Sequence, residues 1–558
     1  MTTNKIIDNE MPDSVSESKT ARLNHPWLVL VILFIVAFIT EQIFFDHKLG
    51  LQWPIFIALL LSAVTAIVII ERVKVPVRSL WLFFPILLLT ILGLFRSEAF
   101  TIAGLGITTV AMLVWLAITF LNGQSLVFRW REHIAQTFML FLNAVIGLPG
   151  MLIDKLRGGE KVTSPSHQAG RGTWLAVLRG LLIALPILAI FAALLASADQ
   201  VFSRNLKSLF DWMDNFRVED FLQHLFLIGF ITYVLFGIFS FAFTRTRQSQ
   251  RVEPDQPLIK PFLGLTESNI VLILVNLLFA AFLVIQFRYF FAGQSNISET
   301  GFTYAEYAVK GFQELILVAI AALGLHWLLA SVTRRETPGQ KSCFSLIITL
   351  LIVQVSVILV SAFQRLSLYE AAYGFTQSRL VAHVFIVFIG LMLLAALIMQ
   401  WFSLFKRQAL ILLSLTMLFA VVLGVINIDV TVTNLNLRKA QADGKLDAGF
   451  LIYSMSADSI PALFKHYDNQ ALSPALHETI GKVLACQARR LGQPSALVEP
   501  WYAISLPQRA AARLFSQRSA ELSKYHFETE SVREGALESK ILIDGEWVYC
   551  GPVSPTTD

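Results

Sequence analysis

Two short polar segments carry the side chains best suited to chemistry. The first, FRYFFAGQSNISETGFTYAEYAVKGFQEL at 287–315, holds Arg288, Tyr304, Glu306, Tyr307 and Glu314 between two apolar runs. Glu306 and Lys310 stand four apart with the acid first, and Tyr304 and Tyr307 three apart, as on one face of a short surface helix. The second, SLYEAAYGFTQSR at 367–379, places Glu370 between Tyr369 and Tyr373, with Gly374 ending the turn and Arg379 following. Two loops of this aromatic and acidic character would rim one vestibule able to hold a ligand. The competing reading is an aromatic belt that only sets helix depth.

Other chemistries find little in the chain. There is no GxxxxGK[ST] phosphate cradle, HExxH zinc helix or GxSxG nucleophile turn. The ten histidines are scattered, so no metal site is expected, and no cofactor is called for. Glu299, Glu306 and Glu370 are the only obvious acid or base candidates for an enzyme. A net charge of +5 without a basic, aromatic-interleaved stripe excludes nucleic acid as a partner.

The elements that must position these residues are transmembrane helices. The chain of 558 residues is 55% hydrophobic and only 15% charged, against about a quarter charged in soluble domains. Eleven apolar runs approach the roughly 20 residues that cross a bilayer: 26–44, 53–71, 80–95, 100–121, 178–197, 220–243, 268–291, 312–332, 343–364, 380–402 and 409–427. The expected class is all-α, a polytopic transmembrane bundle of about eleven spans. It is preceded by a disordered cytosolic leader (1–25) and followed by a small, mainly helical extramembrane domain (428–558). Four spans lie in 26–121 and seven in 178–427, separated by a cytosolic segment at 122–177.

Sidedness follows from Lys and Arg, which are retained on the cytoplasmic side. With the N-terminus inside, the inner segments hold 21 such residues and the outer loops 8. The run 134–153 is long enough to be a twelfth span. If it crossed, the count would become 14 inside and 15 outside, with no bias. We therefore expect an interfacial or re-entrant helix, its apolar face interrupted by Asn143 and the Pro149–Gly150 pair. Both aromatic segments and the tail then face outward, in a bacterial inner membrane.

Depth separates the remaining polar residues. Arg288 and Glu314 lie at outer span ends and suit an interfacial pair. His326 is about 14 residues into its span, near 21 Å, where Gln354 and Ser356 of the next span would satisfy it. In the tail, 474–491 and 506–523 read as helices, Pro461 marks another helix start, and ILIDGEWVYC reads as a hairpin about Asp-Gly. An exported tail would allow its two thiols, Cys486 and Cys550, to pair, and would leave Cys343 reduced.

FRYFFAGQ, TYAEYAVKGFQEL, LYEAAYGFTQSRL and NLNLRKAQADGKLDAGFLIYSMSADSIPALF, in that order, resemble a bacterial group of membrane proteins of unknown function, DUF4153 and DUF4173. CQARRL and PWYAISLPQRAAARLF resemble the end of that group, so the resemblance runs from about 174 to about 515. It implies a multi-span bacterial membrane protein and supplies no catalytic residue or ligand.

Three functions compete. A non-catalytic module would sense or scaffold through its outer loops and tail, meeting the lipid bilayer and an envelope protein or small-molecule ligand on the outer face. A permease would use a polar cavity opening outward, with His326 and Gln354 along its path. An enzyme on a lipid-linked substrate is third. We favour the first.

Overall fold

The computed structural model describes residues 23–45, 50–121, 130–157, 218–248, 261–291, 312–402, 404–491, 500–503, 505–531 and 537–552, with four isolated positions between 184 and 199. Ten helices in this set are long and apolar enough to cross a membrane, and they coincide with ten of the eleven expected spans. The eleventh, 178–197, lies outside the described residues.

The bundle consists of α1 (Pro26–Phe44), α2 (Gln52–Glu71), α3 (Val77–Leu80) running into α4 (Phe83–Leu94), α5 (Ala99–Thr119), α6 (Trp130–Arg157), α7 (Val218–Gln248), α8 (Leu265–Phe291), α9 (Phe312–Val332), α10 (Pro338–Tyr373), α11 (Gln377–Trp401) and α12 (Gln408–Val425), of which α6 is not one of the ten candidate spans. They bury two apolar cores. One joins α1, α2, α4, α5 and α7 through residues such as Leu33, Ile57, Ile86 and Phe236. The other joins α8 to α11 through Leu272, Phe344, Val355 and Ile389. Helix α12 is common to both, since Leu413 and Ala420 enter the first while Leu412 and Leu415 pack on the second. Large apolar residues on the outside, such as Ile107 at 72% exposure and Leu278 at 66%, present a surface suited to lipid.

Both ends of this bundle are tied by polar groups. At the end where α1 begins, the Glu71 carboxylate accepts from the backbone N–H of Asn24 (2.7 Å) and His25 (2.8 Å). At the other end, from which the tail leaves, Glu41 is buried and pairs with His224 of α7. We call these the leader end and the tail end.

Helix α6 covers the segment expected as an interfacial or re-entrant helix. It runs unbroken through Asn143 and Pro149. Asn143 Nδ2 donates back to the Met139 carbonyl at 3.3 Å, as helical side chains do. Pro149 lacks the N–H that would bond the Val145 carbonyl, and the Tyr233 hydroxyl of α7 donates to that carbonyl instead. A Cβ on Gly147 would lie 2.8 Å from Gly237 Cα, so the two backbones touch where only glycine fits. Tyr233 is ten residues from Phe243, about 15 Å along α7 at 1.5 Å per residue. Val145 to Gly147 thus pack level with the apolar length of α7.

The tail comprises α13 (Ile428–Asp443), α14 (Ala448–Tyr453), α15 (Ile460–Tyr467), α16 (Pro474–Leu491), α17 (Leu506–Gln517) and α18 (Ser519–Leu522). A three-stranded antiparallel sheet follows, β1 (Glu528–Ser531), β2 (Leu537–Ile543) and β3 (Glu546–Pro552), in that order. The Asp-Gly hairpin forms between β2 and β3, with φ of 50° at Asp544 and 87° at Gly545. The polar strand ETES that joins it was not foreseen. Cys486 of α16 and Cys550 of β3 form a disulfide with Cα atoms 5.0 Å apart, closing 64 residues. A loop of that length is worth about 4 kcal/mol in the chain-entropy account. Cys343, at the leader end of α10, is free.

Replacement of Gly237 by Leu should drive a side chain into the backbone of Asn143 and Ala144. We expect a loss of roughly 1–3 kcal/mol, typical of overpacking. Thermal unfolding of the purified protein should show a lower midpoint for Gly237→Leu, and the same direction for Tyr233→Phe, which strips the Val145 carbonyl of its donor.

Candidate functional site

The segment 367–379, expected as a loop, is mostly helix. Helix α10 continues to Tyr373, so its 36 residues extend about 54 Å, well past a 30 Å hydrocarbon layer. Polar composition marks where the helix leaves the apolar zone, not where it ends. It stops at Gly374, whose φ of 84° suits only glycine and whose N–H donates to the Glu370 carbonyl at 2.8 Å. Thr376 then caps α11, accepting from the Arg379 N–H at 3.4 Å.

This tight turn gathers four of the residues singled out in the sequence. Tyr369 and Tyr373 meet edge to face at 5.2 Å, and the Arg379 guanidinium lies 3.9 Å over the Tyr369 ring. Arg379 also donates to the Gly374 carbonyl at 2.5 Å, which holds it in place. Glu370 is buried, with His383 Nδ1 at 3.3 Å, and His383 Nε2 is 3.1 Å from Ser367 Oγ. The types Ser, His and Glu suggest a nucleophile triad, but the geometry does not. Ser367 Oγ bonds the Phe363 carbonyl of its own helix at 3.0 Å, and Glu370 Oε1 lacks hydrogen-bond geometry toward His383.

The tail grips the same turn. Asn436 of α13 bonds both backbone groups of Phe375, accepting its N–H at 2.9 Å and donating to its carbonyl at 2.8 Å. Lys439 Nζ donates to the Ala371 carbonyl at 2.6 Å, an orphan acceptor in the last turn of α10. Gln377 Nε2 bridges Asp429 and the Ser454 carbonyl. Asp429, fully buried in the first turn of α13, also accepts from the Ser456 N–H at 2.7 Å.

A second bundle turn is gripped alongside the first. Between α4 and α5, the Ser97 N–H donates to Asp458 Oδ2 at 3.0 Å, and the Ser97 and Ser456 hydroxyls meet at 2.9 Å. Glu98 caps α5, accepting from the N–H groups of Phe100 and Thr101 at 2.6 and 2.7 Å. Burial lifts the Asp458 carboxyl above its usual range, and the Asp429 charge adds to this; the Ser97 bonds and Arg96 pull the other way.

The remaining expected residues do not join this cluster. Tyr304, Glu306, Tyr307 and the side chain of Arg288 lie outside the described residues. Glu314 is exposed in the first turn of α9. His326 is buried at depth, but neither ring nitrogen has a hydrogen-bond partner. Its expected partners are turned elsewhere: Ser356 Oγ bonds the Ile352 carbonyl at 2.8 Å, and Gln354 Oε1 is itself without a partner. Among the described residues no group of three His, Cys, Asp or Glu is placed to hold a metal ion. Sequence reasoning missed Asp429, Asn436, Lys439 and Asp458. Their signal was the helix start after the last span, where Asn427 and Asp429 precede an otherwise polar NLNLRK.

Fold and site together define a polytopic α-helical membrane protein whose disulfide-bearing tail is fastened to one end of the bundle. Residues 83–466 match the model of a family described as Domain of unknown function (DUF4153), and the chain belongs to that family. The match begins earlier than the motifs suggested and ends at α15, so the disulfide and sheet lie beyond it. No curated protein and no solved structure matches the chain.

The Asp458 carboxyl makes the grip pH-dependent, with a sign that can be worked out. A raised native value means that the neutral form fits the folded state better, so the penalty for its charge falls as pH drops through that value. Wild type minus Asp458→Asn should therefore gain stability on acidification from pH 7 toward the ordinary carboxylate range. The slope cannot exceed about 1.4 kcal/mol per pH unit for one proton. Melting curves across pH, compared between the two proteins, check this; a difference that falls with acidification contradicts it.

Proposed function

We propose that this chain is a non-catalytic module of a bacterial inner membrane that senses or scaffolds through its tail end, with the N-terminus inside and the tail outside. The observation that carries this reading is the grip of α13 on the 374–376 turn, which makes the tail and the Tyr369, Tyr373 and Arg379 cluster one surface. A surface fixed in this way suits recognition of an envelope protein or a small ligand, because little conformational freedom is left to lose on binding. The charge bias supports the orientation, and the Cys486–Cys550 pair supports it independently, since disulfides persist outside the cytoplasm.

No specific observation favours the permease reading. His326 and Gln354 form no hydrogen bond with each other, and each is surrounded by the apolar core of α8 to α11.

Complementation of a deletion strain tests the proposal. Tyr373→Ala and Arg379→Gln should lose function while the protein is still made and inserted, whereas His326→Ala and Gln354→Ala should complement. The reverse pattern would refute the reading in favour of a transport path. Reporters fused to the C-terminus should be active only in the form that works outside.

A further inference from the structure

A cavity of about 320 Å³ opens at the tail end, separate from the 374–376 turn. Its walls are Phe44 and Trp53, flanking the α1–α2 connection, and Leu89 and Leu94 of α4; Ser505 and Gln508 from the start of α17 cover it. The lining is chiefly apolar and continues the membrane-facing part of the bundle, while the cover belongs to the tail. Three facts bear on what it could hold.

The first is a cation that lines the cavity. Among the described residues Arg96 forms no salt bridge and bonds the backbone carbonyls of Phe95 (2.8 Å) and Val425 (3.0 Å), while its charge also acts on Asp458. Its Nε is buried with no hydrogen-bond partner. Of the described carboxylates nearby, Glu98 is bonded to the α5 N-terminus and Asp458, which also feels the Arg96 charge, to the Ser97 N–H. The Arg96 Nη groups, unlike Nε, are exposed and bond only neutral carbonyls among the described residues, which leaves a guanidinium with donors to spare for an anion in the cavity.

The second is size. The volume is at the lower limit for small-molecule sites, so it suits one chain rather than the paired chains of a phospholipid. The third is spare room, since a Cβ on Gly106 in the wall would meet nothing within 4 Å.

We propose that this cavity binds a single-chain anionic amphiphile of the fatty-acid class, its carboxylate on Arg96 and its chain against Trp53 and Leu89. The proposal rests on the reading of the tail end as the working face and gives that face a ligand drawn from the adjoining lipid leaflet. Such a ligand would touch the bundle and α17 at once, so its arrival would report membrane composition to the tail.

The test uses the full chain in phosphatidylcholine nanodiscs with a diazirine-bearing dodecanoate, the adducts being mapped by mass spectrometry. Labelling should fall on peptides containing Trp53 and Arg96 and should be displaced by dodecanoate. Dodecanol, which lacks the charge, should displace it at least about 10-fold less well, as should Arg96→Gln bind, because one charge-assisted bond is lost. Gly106→Leu narrows the cavity at a helical site where leucine is well tolerated, so it should sharply reduce labelling while leaving the melting temperature near wild type. That variant decides the matter if Arg96→Gln misfolds.

Four results would each overturn the proposal: equal displacement by dodecanol, adducts spread over the lipid-facing helices, displacement by phosphatidylglycerol nanodiscs but not by dodecanoate, or retained labelling in folded Gly106→Leu. Lost labelling with the complementation pattern of Tyr373 and Arg379 intact refutes the ligand alone. Specific labelling with that pattern reversed refutes the tail-end reading instead.

Discussion

A chain that crosses hydrocarbon has nowhere to leave an unpaired amide or carbonyl, and most of this structure follows from that constraint. It makes every described crossing a helix, and it confines exposed polar chemistry to the two ends. Where the rule is strained it is repaired locally. Pro149 deprives the Val145 carbonyl of its helical partner, and Tyr233 of the neighbouring helix supplies a hydroxyl. At the ends of the helices the same accounting continues: the N–H groups that begin α5 go to Glu98, and a carbonyl from the last turn of α10 goes to Lys439.

The tail is joined to the bundle by this second kind of repair. Helix ends and tight turns expose backbone groups that α13 and the segment 454–458 are shaped to bond. Asn436 does so for both groups of Phe375, behaving as a strand partner would. Asp458 adds specificity at an energetic cost, because burial, with the Asp429 charge beside it, disfavours its ionised form. Apolar packing completes the joint, since Val381 of α11 and Leu423 of α12 enter the core of the tail. Such a joint leaves little slack between the two parts.

Hydrophobic patterning made the bundle legible because the bilayer imposes one length and one composition on every crossing. The span ends came within a few residues of the helices found, as for 312–332, except at 343–364, where the helix runs from Pro338 to Tyr373. Turn chemistry was legible where it is strictly local, as at Asp544–Gly545. What escaped were features settled by partners distant in sequence. SLYEAAY reads as a loop because its polar residues break the apolar run, yet α10 continues through it with Glu370 buried and Lys439 capping its end. Asn143 and Pro149 read only as interruptions of an apolar face because their partners, Met139 and Tyr233, could not be assigned without the fold. Asn436 and Asp458 carry no motif at all; each matters only because a turn some 61 or 361 residues away presents its backbone there.

The central claim is that tail and bundle form one body at the 374–376 turn. Hydrogen exchange resolved to the Phe375 amide measures this most directly, because that amide belongs to no helix and its acceptor is a tail side chain. Protection comparable to the neighbouring helices in the wild type, falling to that of an open turn in Asn436→Ala, is the predicted result. A Phe375 amide that exchanges as fast in the wild type as in the variant would mean that the tail rests on the bundle without gripping it.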